Sequence, residues 1–245
     1  MSALRRNFGG VSEISFSLLC KKFLIACSFH DAATRQDMDM SLQTVATLKE
    51  SLSDIVDAGD DPNTAAYRHI LLLDPSFVEV SINVLFELGL IKNRASTSFI
   101  AISDFASDST DVQLSQAVAS IKVCAEQGKT VLLTNPAMLA SSIFDLLNKH
   151  YLKLSIMDEH RVVHTKYYAN IAIGSYSRLC AVHPDFRIIV HMPLSDISKT
   201  PLPFLNRFEK YTLSCRGKIL FASFHTIVSS RLFSLLPTIT FFQIL

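Results

Sequence analysis

The sequence predicts an α/β fold, a parallel sheet with helices on both faces, preceded by a helical segment. Three observations carry this. Short apolar runs alternate with helical patterns through residues 64–214. Within the first of them, Arg68 to Leu73, the residues from Ile70 on are continuously apolar, as strands buried on both faces tend to be. An acidic turn with glycine and proline, Asp57 to Asn63, separates this alternation from a helical stretch upstream.

Residues 1–56 are predicted to be a helical segment, because apolar positions between Ser2 and Leu52 recur at mixed three- and four-residue spacing. Within it, Ile14 to Phe29 is apolar but interrupted by Lys21 and Lys22, so it reads as an amphipathic helix rather than an export signal. The first strand, Arg68 to Leu73, ends at Asp74-Pro75, and a helix follows from Pro75 to Leu88 with Gly89 as its C-cap. Ser98 to Ile102 is a second strand. Asp111 to Gln127 is a helix closed by Gly128. Thr130 to Leu133 is a third strand, and a helix is expected from Pro136 to about Tyr151. Arg161 to Val182 alternates around Gly174 and predicts a hairpin or a strand-rich insertion. Phe186 to Val190 is the fourth strand, and Leu202 to Lys210 a short helix behind Pro201 and Pro203.

Composition bounds function. A net charge of +1 leaves no global field for nucleic acid or an anionic membrane, and the basic pairs Arg5-Arg6 and Lys21-Lys22 are short and separate. Five scattered cysteines without a secretory leader point to a reduced, cytoplasmic compartment. Residues 215–245 differ from the rest. They hold three basic residues, no acid and five phenylalanines, and Arg231 divides their apolar stretch, which is short for a membrane helix. This tail is read as an atypical addition that need not belong to the native module.

Candidate chemistry is sparse. Gly128-Lys129-Thr130 matches the end of a phosphate loop, but the required earlier glycine is Val123, and the order is helix then strand instead of strand then helix. It reads as a helix C-cap with a solvated lysine. His160, His164, Cys180 and His183 have the spacings of a zinc site. Residues 161–163 alternate like a strand and hold the first two histidines apart, so no metal is expected. No Ser/His/Asp arrangement is visible.

Several stretches together resemble one module of the mysterin-type giant ring-finger ubiquitin ligases, whose core is dynein-like and AAA+. They are Leu4 to Gly10, Tyr67 to Leu73, Val123 to Asn135, Ser142 to Tyr151 and, most specifically, Cys180 to Lys210. The resemblance implies an AAA+-like large α/β subdomain over 64–214, with 1–56 as the end of the preceding module. It implies a cytoplasmic ring of modules in one polypeptide, in which only some modules use ATP and Mg²⁺. In such a module the phosphate loop follows the first strand. Here that place reads Asp74-Pro75-Ser76-Phe77-Val78-Glu79, with two carboxylates and neither glycine nor lysine. The Mg²⁺ and hydrolysis carboxylates should close the third strand, where Thr134-Asn135-Pro136 stands. No bound cofactor is therefore expected in this module. Arg207 falls where such modules place an arginine facing the neighbour's nucleotide, a finger worth ~10³ to 10⁵ in rate. Its structural alternative is an ion pair, with Glu209 or another carboxylate.

The primary expectation is a non-catalytic module that is structural or motion-transmitting, with neighbouring AAA+ modules as partners. The alternative is an ATP-binding module, or one assisting an ATPase through Arg207 in trans. A membrane protein held by residues 215–245 is a weaker third reading. No residue matches a ring finger or a ligase cysteine, so ubiquitin transfer is not carried to any position.

Overall fold

A computed structural model describes residues 13–27, 47–49, 51–52, 68–75, 79–87, 89–91, 94–102, 105, 110–157 and 163–212. Its strands are β1 (His69–Asp74), β2 (Thr97–Ala101), β3 (Thr130–Thr134), β4 (Leu152–Met157), β5 (Val163–Ile173), β6 (Tyr176–Val182), β7 (Arg187–Pro193) and β8 (Phe208–Thr212). The helices are α1 (Glu13–Ala26), α2 (Glu79–Glu87), α3 (Asp111–Gln127), α4 (Phe144–Asn148) and α5 (Leu202–Leu205). Five strands form a parallel sheet in the order β2-β3-β7-β1-β8.

β1 lies between β7 and β8, and all six of its side chains are buried. Leu71 and Leu73 point into one core and Ile70 and Leu72 into the other, which is why Ile70 to Leu73 reads as an unbroken apolar run. The first core is covered by α3, α4 and α5, and the second by α2 and by Leu48 from the upstream segment. Helices on both faces confirm the expected fold class.

α3 shows how locally the sequence acts. The Thr110 side chain caps it by accepting from the Gln113 N–H, and Asp111 complements the positive N-terminal end of the helix dipole. Val118, Ile121, Cys124 and Ala125 form its buried stripe. Gly128 ends it at φ +68°, with the N–H groups of Gly128 and Lys129 both reaching the Cys124 carbonyl. The Gly-Lys-Thr stretch is therefore a C-cap, as its order implied. Gly89 closes α2, also left-handed at φ +66°, with its N–H reaching the Phe86 carbonyl and that of Leu90 reaching Leu85.

The three-stranded sheet β4-β5-β6 is antiparallel and packs on α3 and α4. Gly174 sits at φ +59° in the two-residue turn joining Ile173 to Tyr176, so the expected hairpin forms around it.

Two helical expectations are corrected. The stretch from Pro136 to Tyr151 is not one helix. It is a 3₁₀ turn, Pro136–Met138, then α4, which stops where Lys149 adopts a left-handed φ of +54°. β4 follows, a strand whose partner β5 lies beyond its own loop. The helix expected over Leu202 to Lys210 ends at Leu205, and Phe208 begins a fifth parallel strand paired with His69. Buried Phe208 and Tyr211 explain the outcome, since packing on β1 outweighs weak local propensity. In the upstream segment α1 is helical but exposes Leu18, Phe23 and Ile25, so it is not a simple amphipathic helix. Residues 215–245 and Ser76 to Val78 lie outside the described residues.

Candidate functional site

Ligands of doubly wound sheets bind outside the carboxyl ends of the strands. At that edge β1 ends in Asp74, fully buried, and His191 on neighbouring β7 places its Nε2 3.2 Å from Asp74 Oδ2. The two residues fall on the same sheet face because Asp74 follows Ile70 and Leu72, while His191 follows Ile189. The Asp74 carboxylate therefore points into protein, holding a histidine. His191 had no local signal in the sequence.

Beside this pair, β3 runs into Thr134 and Asn135. Asn135 takes a left-handed φ of +51°, a conformation asparagine tolerates, and Pro136 starts the 3₁₀ turn. These three residues border a cavity of about 590 Å³ with apolar walls that include Ile102, Met192 and Phe204. An Asp196–Lys199 ion pair of 3.1 Å stands at its rim.

The amino edge carries a second polar cluster. Glu209 is buried, and its carboxylate accepts from the Arg68 backbone N–H at 3.1 Å and the Tyr211 hydroxyl at 2.9 Å. His69 accepts from the Ile188 N–H at Nδ1 (3.1 Å), so its Nε2–H donates to the Leu146 carbonyl at 2.9 Å. Burial holds this imidazole neutral, its pKa pulled from 6.5 to about 3 against the opposing hydrogen bond to Leu146. Lys149 is lowered to about 8, first by burial and then by the Arg187 guanidinium, with Glu209 opposing.

Arg207 lies in the turn before β8, at this same edge. Its guanidinium sits over the Phe144 ring, 4.0 Å from the centroid, rather than against Glu209. Of the four metal candidates, His160 and the His164 side chain lie outside the described residues. Cys180 is a core thiol, pushed up to about 11 by burial, with Glu126 adding and Lys122 opposing. His183 is half exposed beside Gly128. No group of three or more potential metal ligands occurs among the described residues, and no described helix is long and apolar enough to cross a membrane.

Comparison with known proteins shows the family of the sequence. An uncharacterized protein of Dictyostelium discoideum, whose name calls it transmembrane, is 38% identical over 171 residues, covering 70% of this chain and 3% of that protein. The E3 ubiquitin-protein ligase RNF213 of Homo sapiens is 30% identical over 156 residues, 63% of this chain and 3% of the ligase. The E3 ubiquitin-protein ligase rnf213-beta of Danio rerio is 34% identical over 110 residues, 44% of this chain and 2% of its own length. The chain thus spans about 3% of the length of the first two. The family profile described as the RNF213 AAA domain matches residues 62–219, well over half the chain, and takes in all five parallel strands and both polar edges. The chain belongs to the RNF213 AAA domain family.

Proposed function

We propose that this chain is a non-catalytic AAA module of an RNF213-like ubiquitin ligase, structural or motion-transmitting within a ring of ATPase modules. The observation that carries the reading is the Asp74–His191 pair at the carboxyl end of β1. A nucleotide phosphate there would meet a buried carboxylate where a phosphate loop offers backbone N–H groups and a lysine. At the end of β3, Thr134 and Asn135 stand where hydrolysis needs carboxylates. Neighbouring modules are its partners, in the cytoplasm, without nucleic acid or membrane attachment, and ATP with Mg²⁺ belongs to other modules of the parent.

Calorimetry with Mg-ATP on the full chain, with circular dichroism as a folding control, tests this. No heat up to millimolar ATP is expected from a folded sample, whereas saturable micromolar binding would overturn the reading.

One observation favours a second role. Arg207 is not sequestered by Glu209 but lies partly exposed on Phe144 at the amino edge, where it can act in trans on a neighbour's nucleotide.

A further inference from the structure

Helical residues 47–49 and 51–52 precede the stretch that the family profile matches, yet they are built into the core of this domain. Leu48 is fully buried in the second core with Ile70, Leu72, Ile189 and Tyr211. Thr47 and Ser51 are 6% and 1% exposed. Ser51 Oγ lies 2.8 Å from the Tyr211 hydroxyl. That hydroxyl donates to Glu209, so Ser51 donates to it. The Ser51 carbonyl in turn accepts from Arg187 Nη1 at 2.5 Å. Leu48 and Ser51 are three positions apart and share a helix face. One face therefore inserts a leucine between β1 and α2 and presents a hydroxyl and a carbonyl to the sheet's amino edge.

We propose that this surface, lined by β1, β7 and β8, is a docking groove for a helix carrying Leu-x-x-Ser, filled in cis by Leu48 and Ser51. Arg187 and Tyr211 read the backbone and hydroxyl of the docked helix, and the leucine pocket supplies apolar contact. The docked helix clamps whatever lies upstream to the amino ends of the central strands, the edge that also carries Arg207. A clamp at this place passes displacement of the upstream chain directly to the sheet. The purpose of the clamp rests on the motion-transmitting reading above, but its docking does not depend on whether nucleotide binds.

The test uses the full chain with a protease site in place of Gly59-Asp60. After cutting, the upstream fragment should co-elute with the remainder, and a synthetic peptide of residues 44–56 should displace it. Leu48→Asp should release it. In uncut protein, Ser51→Ala should speed hydrogen exchange several-fold at amino-edge amides such as Ile188 and leave those of α3 unchanged. This second measurement serves if the leucine variant fails to fold. The proposal is overturned if the fragment separates from a still folded remainder, if it is retained despite Leu48→Asp, or if Ser51→Ala leaves the Ile188 amide unchanged. Any of these leaves the non-catalytic reading intact, whereas ATP binding in the calorimeter would refute that reading and leave the docking untouched.

Discussion

At the scale of single residues, His69 gives the clearest case of a side chain whose role depends on what surrounds it. Its two ring nitrogens bridge a strand amide and a helix carbonyl, which only the neutral ring can do. With a pKa of about 3 in the fold and 6.5 as reference, the unfolded chain binds a proton between these values that the folded chain refuses. The stabilisation is complete above pH 6.5 and is lost as pH falls toward 3, by up to ~1.4 kcal/mol per pH unit. Urea midpoints of the wild type and His69→Gln between pH 7 and 5 check this. The wild type should lose stability more steeply, and equal slopes would remove His69 as the cause. Nothing in the sequence marked His69, because Leu146 and Ile188 lie 77 and 119 positions away. The same holds for His191, 117 positions from the Asp74 it contacts.

At the scale of elements, the helix ends capped by glycine were the most legible feature. Gly128 and Gly89 were both recognisable as C-caps, yet their surroundings differ. A Cβ on Gly128 would meet His183 Nδ1 at 2.5 Å, while one on Gly89 meets nothing within 4 Å. Both sites have positive φ, so alanine at either costs about 1–2 kcal/mol in backbone strain. We expect Gly128→Ala to lower the melting temperature more than Gly89→Ala, and His183→Ala to remove the difference. An equal loss from both glycines would show that the imidazole moves aside freely. Legibility failed where an element is held by distant partners. β8 looks like the end of a helix behind two prolines, but Phe208 and Tyr211 are fixed by β1 and by both cores. β4 exists because β5 pairs with it from Tyr168 back to Val163.

At the scale of the whole molecule, the two edges of the sheet divide the chemistry. The carboxyl edge carries the buried Asp74–His191 pair beside the cavity bordered by Thr134 and Asn135. The amino edge gathers Arg187, Glu209 and the docked upstream helix, and presents Arg207 on Phe144. If Arg207 serves a neighbour, Arg207→Ala in the parent ring should cut ATP turnover by ~10³-fold or more while this module stays folded. Turnover within a factor of two of wild type would assign the arginine to its stacking contact alone. Local residue patterns were enough for the α/β class, the strand-helix alternation and the glycine caps of α2 and α3. These depend on local periodicity and on backbone freedom. Packing in three dimensions was needed to show that Asp74 is held by His191, that Glu209 is taken by Tyr211 and Arg68 rather than Arg207, and that Leu48 belongs to this core. Apart from Glu209 and Tyr211, neighbours within β8, each of those joins residues more than a hundred positions apart or crosses from one element to another, and such contacts are fixed by the order and register of strands, which no local pattern encodes.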